Sequence, residues 1–386
     1  MAKKLLAFVL ACCMIFTLAA CNKSDTTAKD DGAKGDAKEE GSKKLTVDDL
    51  KVGFIYIGSK TDGGYSQAHD KGRLALEEKL GVKTIALENV PENASDAEKA
   101  IRDLIDQGCN VIYANSFNYE DSMLKVAKEY PDLYFGHATG ISQITGKGVE
   151  NLTNYMGRIY EPRYLSGIAA GMKTTAKKIG YVAAFPTAEV IRGINAFTLG
   201  VRSVSPETTV EVLWINSWYD PAQERAAADE LLNRGCDVIA QHCDTTGPQV
   251  AAQEKGAFAV GYNSPSKDAA PKAYLTAPLF NWGEYYISDV QSILDGNRKS
   301  GLWWEGMASG AVELDALSDN CAPGTAEKVE EAKQKIISGD FFVFQGPIKD
   351  NEGKERVKAG ERMSDKDMYL NFDWFVEGVI GNASGK

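Results

Sequence analysis

The chain has 386 residues, 44% hydrophobic and 25% charged, and a formal net charge of -11. This is an ordinary globular composition with length enough for two lobes, and its acidity excludes the basic footprint that nucleic-acid binding needs. Beyond residue 21 no apolar run approaches the ~20 residues of a membrane-spanning helix.

Met1-Ala2-Lys3-Lys4 is a short basic start, and residues 5–17 form an apolar run too short to span a bilayer comfortably. Leu18-Ala19-Ala20-Cys21 follows, small residues before a cysteine. That is the pattern of a bacterial lipoprotein signal, in which Cys21 is acylated and becomes the new N-terminus. Acyl chains bury about 0.8 kcal/mol per methylene, so several on one cysteine tether a soluble domain to a membrane. The competing reading is an ordinary secretory signal cleaved nearby, with Cys21 a bystander. Either reading takes the mature chain out of the cytosol, which excludes most nucleotide-driven chemistry.

Residues 22–44 are rich in Lys, Asp, Gly, Ser and Thr and hold no aromatic residue, so they cannot bury a core and are expected to be a disordered, solvated spacer. The expected organisation is a signal peptide over 1–20, a lipidated linker over 21–44 and a globular domain over 45–386. Cys12 and Cys13 leave with the signal. Cys109, Cys236, Cys243 and Cys321 fit no zinc-ligand spacing, and Cys109 and Cys236, each before an apolar run, read as buried free thiols.

In the globular part, residues 52–57 read as a buried strand, 72–80 as a helix and 85–87 as a short strand. Residues 96–107 read as an amphipathic helix with Ala97, Ala100, Ile101, Leu104 and Ile105 on its apolar face. A strand over 111–114, a helix over 122–130 and a strand over 133–135 follow. Such alternation implies an α/β fold with a parallel sheet covered on both faces. The pattern then restarts. Lys51-Val52-Gly53-Phe54 resembles Lys178-Ile179-Gly180-Tyr181, and the stretch around Cys109 resembles that around Cys236, both at a spacing of 127 residues (178 − 51 and 236 − 109). Two matches in one register predict two lobes of the same strand–helix order. The first covers about 45–160 plus a later segment, the second about 176–275 plus a later segment. Residues 151–175 bridge them, and the chain crosses back near 275–282. Further on, 284–294 and 325–338 read as helices, 312–314 and 341–344 as strands, and 350–353 as a tight turn.

In open parallel sheets ligands sit beyond the carboxyl ends of the strands, so the space between two such lobes is the expected site. After the first strand comes a Gly-rich loop with Asp62 and Tyr65. Asp62 fits two roles, acceptor for ligand N–H groups or cap of the next helix, and Tyr65 offers a stacking face. The loop has neither the P-loop lysine nor the G-x-G-x-x-G spacing, so phosphate binding is unsupported. After the third strand comes Asn115-Ser116-Phe117-Asn118-Tyr119, and its counterpart is Gln241-His242-Cys243-Asp244-Thr245-Thr246-Gly247. Both are polar strand-end loops suited to a small molecule. Trp218, in Asn216-Ser217-Trp218-Tyr219-Asp220-Pro221, could face Tyr65 and sandwich a flat ring, or pack at a helix start. The three histidines, His69, His137 and His242, make no metal-ligand spacing, and no G-x-S-x-G elbow is present. No cofactor, metal site or catalytic residue is expected.

The Leu18–Cys21 motif, Thr61-Asp62-Gly63-Gly64-Tyr65, His69-Asp70-Lys71-Gly72-Arg73, Gly136-His137-Ala138-Thr139-Gly140, Glu189-Val190-Ile191-Arg192-Gly193-Ile194-Asn195-Ala196-Phe197 and the Trp218 motif together resemble the basic membrane protein (BMP) family. These are purine nucleoside receptor-like lipoproteins that bind substrate for ATP-driven importers. The resemblance covers nearly everything from Leu45 to the C-terminus, including Gln345-Gly346-Pro347-Ile348-Lys349-Asp350. It implies a type I periplasmic-binding-protein fold, with two Rossmann-like lobes, a hinge and a ligand between them. It also implies a permease partner, a lipid anchor on the extracytoplasmic face of the cell membrane, and no enzymatic activity; a monomer is expected. Asp62, Tyr65 and Trp218 match the positions that hold the base in nucleoside binders. Where those binders carry a ribose-binding aspartate, this chain has Asn263, and no lysine follows Thr276. That favours a free nucleobase such as adenine, or an unrelated flat ligand, over a nucleoside. Phe117, Asn118, Asp244 and Asn263 complete the expected ligand set. The alternative ligand is a sugar or autoinducer-like polyol, whose sites also stack aromatic rings.

Overall fold

The computed structural model describes residues 45–385. The expected signal peptide, the acylated Cys21 and the spacer lie outside the described residues. The first half runs β1 (Lys51–Ile55), α1 (Tyr65–Leu80), β2 (Lys83–Leu87), α2 (Ala94–Asp106), β3 (Val111–Ala114), α3 (Glu120–Glu129), β4 (Tyr134–Ala138) and β5 (Leu152–Gly157). Helix α4 (Tyr160–Lys173) leads into the second half: β6 (Lys178–Ala183), α5 (Ala188–Val204), β7 (Thr209–Trp214), α6 (Pro221–Asn233), β8 (Val238–His242), α7 (Gly247–Glu254), β9 (Phe258–Val260) and β10 (Tyr274–Thr276). The chain then passes through β11 (Pro278–Phe280), α8 (Trp282–Leu294), β12 (Leu302–Glu305), β13 (Val312–Leu314) and α9 (Thr325–Ser338). It ends in β14 (Ile348–Lys349), β15 (Glu355–Val357), α10 (Asp365–Leu370) and β16 (Val379–Ile380).

Two six-stranded parallel sheets result, ordered β12-β5-β4-β3-β1-β2 and β10-β9-β8-β6-β7-β16. Five strands match in order between the sheets, β5-β4-β3-β1-β2 with β10-β9-β8-β6-β7. The 127-residue spacing between Lys51 and Lys178 is carried by the first residues of β1 and β6. The core strands are buried on both faces, as helices on either side of a parallel sheet require. Each sheet gains its sixth strand from late in the chain, on opposite edges: β12 pairs with β5, and β16 pairs with β7. The chain therefore passes between the halves three times, through α4, through β11 and again between β12 and β16.

Helices α4 and α5 make the densest contact. Gly167 and Gly200 let their backbones meet: a Cβ at Gly167 would lie 2.1 Å from the Phe197 carbonyl oxygen, and one at Gly200 would lie 2.0 Å from that of Tyr164. In the first half, a buried ion pair joins Arg298 Nε to Asp289 Oδ1 at 2.8 Å. Its remaining hydrogen-bonding capacity is met by Tyr113 O–H donating to Asp289 Oδ2 and by Arg298 donating to the carbonyls of Phe135 and Asn151. Such saturation is what makes a buried pair tolerable.

Two expected elements differ. The first helix starts at Tyr65, not residue 72, because the Asp62 carboxylate satisfies the free N–H groups at its start; the glycines around it disguised the helix in the sequence. Residues 341–344 form no strand. Their aromatic run anchors an irregular segment instead, with Phe344 against Tyr160 and Phe372, and Phe341 against Tyr164. Cys109, Cys236 and Cys243 are buried, free thiols, and burial raises each.

Candidate functional site

The carboxyl ends of the two sheets face each other across a partly open cavity of about 360 Å³, the solvent space at its mouth included. The first half contributes Ile57, Tyr65, Asn115, Ser116, Phe117 and Thr139. The second contributes Glu189, Trp218, His242, Asp244 and Tyr262. Two aromatic rings come from each half, and no Lys or Arg side chain lines this cavity.

On the first half, Asp62 organises the loop after β1. Its Oδ1 accepts the N–H of Gly64 at 2.8 Å and of Gln67 at 3.1 Å, and its Oδ2 accepts that of Ser66 at 2.9 Å. This starts α1 at Tyr65, whose O–H donates to the Asn115 carbonyl at 2.6 Å and whose ring sits edge-on against His69. Asn115 Oδ1 accepts the Ile57 N–H, while its Nδ2 is buried with no partner in the protein. His137 Nε2–H donates to the Ser116 carbonyl and fixes the neighbouring loop. Thr139, closing β4, has φ +61, a left-handed conformation unusual for a β-branched residue. Its Oγ1 is also buried without a partner. Strain of this kind persists where surrounding structure enforces it, often at ligand sites.

On the second half, Trp218 precedes Asp220, whose Oδ1 caps α6 by accepting the N–H groups of Ala222 and Gln223. The Trp218 carbonyl accepts the Asp244 N–H at 3.0 Å. His242 ends β8, its Nε2 3.2 Å from the Tyr262 hydroxyl and 3.5 Å from Glu189 Oε1. Burial pushes the His242 imidazole down to about 4, so it is neutral at physiological pH. The Arg163 guanidinium lies 3.7 Å over the Tyr262 ring from behind. Asp244 is buried, and desolvation together with the nearby carboxylates of Asp62, Glu224, Glu92 and Glu189 raises its carboxyl well above the usual range.

The halves touch at the rim. Ser264 O–H donates to the Gly64 carbonyl at 2.9 Å. Gly64 also abuts the Asp244 backbone so closely that a Cβ there would lie 1.9 Å from the Asp244 carbonyl oxygen.

Of the residues singled out from the sequence, Tyr65, Phe117, Trp218 and Asp244 come together around the cavity. Asp62 does not line it and serves as the cap of α1. Asn263 stands behind Asp244, with its Nδ2 3.5 Å from Asp244 Oδ1, and Asn118 is exposed. Sequence reasoning missed Glu189, Tyr262 and Thr139. Thr139 and Glu189 lay in motifs already noted, but an acid in a helix first turn reads as an ordinary dipole partner. Asn115, Ser116 and His242 stood in the two strand-end loops without being chosen. Among the described residues no cluster of His, Cys, Asp and Glu could hold a metal ion.

A family model described as ABC transporter substrate-binding protein, PnrA-like (Bmp), matches residues 49–344. The chain belongs to the Bmp family. A purine-binding protein of Brucella abortus (strain 2308) is 41% identical over 333 residues, covering 86% of this chain and 93% of its own. A Haloferax volcanii protein, provisionally named an ABC transporter glucose-binding protein, is 36% identical over 366 residues, covering 93% and 89%. In structure, an ABC transporter solute-binding protein from Aeropyrum pernix K1 matches with a TM-score of 0.66 at 19% identity, covering 83% of this chain and 95% of that one. The fold is therefore that of type I periplasmic binding proteins. As a substrate-binding component of an ABC transporter, this Bmp protein takes a small-molecule ligand, works with a membrane permease and acts outside the cytoplasm. Members of this family are binding proteins, not enzymes. No described helix is long and apolar enough to cross a membrane.

Proposed function

We infer that this Bmp protein captures a purine-type solute, a nucleobase such as adenine in preference to a nucleoside, for import. The observation that carries this is the convergence of aromatic side chains from both halves, Tyr65 and Phe117 with Trp218 and Tyr262, on one cavity with the carboxyls of Asp244 and Glu189. Flat rings stack on such faces at roughly 1–3 kcal/mol per ring, and ring N–H and amino groups need acceptors of this kind. The Brucella relative's name supports the same ligand class. Where the resemblance would put ribose, Asn263 donates to Asp244 and the region after Thr276 is filled by a stack of Phe280 on Trp282 at 4.4 Å and Trp282 on His69 at 4.3 Å. Ligand contacts to both halves favour the closed arrangement over an open one, a population shift that a permease can read. Acylation of Cys21 would hold the protein at the extracytoplasmic membrane face, and the two lobes of about 45–160 and 176–275 would move as the rigid units.

A sugar is the second reading, favoured by the name of the Haloferax relative and by the same aromatic and carboxyl lining. Calorimetric titration with adenine, guanine, adenosine, guanosine and glucose separates the two. Heat from a nucleobase, with weaker or no heat from its nucleoside, is expected. Heat from glucose alone would establish the sugar reading, and silence from all four purines would end the purine one.

A further inference from the structure

A second chamber of about 570 Å³, the solvent space at its mouth included, opens beside the first and shares Phe117, Thr139, Glu189 and Trp218 with it. Its own walls include Ala188, Arg192, Tyr369 and Leu370. It contains none of residues 242–282, so it lies away from Asn263 and the Phe280–Trp282 stack. Tyr369 and Leu370 belong to α10, which follows the 49–344 span of the family match. Helix α10 is held from both halves. Tyr369 O–H donates to the Gly140 carbonyl at 3.0 Å, Trp304 Nε1 donates to Asp365 Oδ1 at 3.3 Å, and Arg192 Nη1 donates to the Met368 carbonyl at 2.5 Å.

Arg192 is 2% exposed. One bond goes to Met368, its Nε is buried without a partner, and no carboxylate forms an ion pair with it among the described residues. Its guanidinium lies 4.9 Å over the Trp304 ring, which orients it without supplying an acceptor. Glu189, one turn earlier on α5, acts on this charge without pairing directly with it, and a buried cation with an unfilled N–H is costly unless something provides an acceptor. The Glu189 carboxylate borders both chambers, whereas Asp244 lines only the first and the Arg192 guanidinium lines only the second.

We propose that the second chamber is a subsite for an acidic side arm on the purine, with Arg192 receiving a carboxylate. This rests on the purine reading of the first chamber. The test compares adenine with its N6- and N9-carboxyalkyl derivatives and their uncharged alkyl isosteres, by calorimetry on the full globular protein. At least one acid is expected to bind tenfold or more tightly than its isostere. Arg192→Gln should bring that acid-to-isostere ratio to about one. Because Arg192 also supports α10, Ala188→Leu provides a second route: it fills the chamber while keeping every hydrogen bond, and should lower the affinity of the armed ligand relative to adenine at least tenfold. Adenine binding with neither acid preferred, or an acid preference that survives Arg192→Gln and a ratio unmoved by Ala188→Leu, would overturn the subsite alone. No heat from adenine or any derivative would overturn the purine reading and the subsite with it.

Discussion

Gly64→Ala tests whether the touching of the two halves is what creates a high-affinity site. The added methyl carbon would sit 1.9 Å from the Asp244 carbonyl oxygen, against a closest ordinary contact of about 3 Å. Relief requires the two loops to part by roughly 1 Å, which stretches the 2.9 Å bond from Ser264 to the Gly64 carbonyl beyond hydrogen-bonding range. Losing that bond costs about 0.5–1.5 kcal/mol. The same parting moves Tyr65, next in the chain, away from Trp218 and Asp244, and a weakened stack costs roughly another 1–3 kcal/mol. The sum corresponds to at least about a tenfold loss of affinity, at ~1.4 kcal/mol per decade. Adenine titration by calorimetry reads the affinity, and small-angle scattering with and without adenine reads closure. The ligand-free variant should unfold at the wild-type temperature, because an open form accommodates the methyl. Ser264→Ala, which removes the hydroxyl alone, should lose about twofold to tenfold. If Gly64→Ala binds adenine within twofold of wild type and contracts to the same extent, the rim contact does not control the site.

Three more outcomes are expected. Asp62→Asn should retain adenine affinity within about threefold, since asparagine caps helices nearly as well as aspartate; a tenfold loss by calorimetry would make the Asp62 carboxylate a ligand contact after all. Asp244→Asn should make the ligand-free protein more stable at pH 7 in urea unfolding while weakening adenine about tenfold. The folded state holds a proton on Asp244 above the ordinary carboxylate range, where the unfolded chain has released it, so this group costs stability as pH rises through that window. A variant less stable than wild type at pH 7 would contradict this. His242 contributes the opposite slope: the unfolded chain takes up its proton near 6.5, the folded one only near 4, so acidification between those values favours unfolding. Burial lowers His69 and His137 in the same direction. The His242 share is worth up to about 3 kcal/mol, so His242→Gln should flatten the loss of stability between pH 7 and pH 4.5. An unchanged slope in urea unfolding would refute the assignment.

The two-sheet architecture is legible in the chain because its signals are local: apolar strands of four to six residues, amphipathic helices between them, and a 127-residue spacing that repeats the order. Strand ends in such sheets hold the ligand whatever the sequence between them, so Tyr65, Phe117, Trp218 and Asp244 were also within reach. What the tertiary structure alone decided depends on residues distant in sequence meeting. Nothing near Glu189 announces that it will face His242, fifty-odd residues on, and nothing in the C-terminal tail announces that β16 completes the second sheet while Tyr369 reaches Gly140 in the first half. Even the role of Asp62, cap or ligand contact, turned on where its carboxylate points, and Gly64 acquired its importance only from the Asp244 carbonyl brought against it. Periodicity records which face of an element is buried. It carries no record of what that face is buried against.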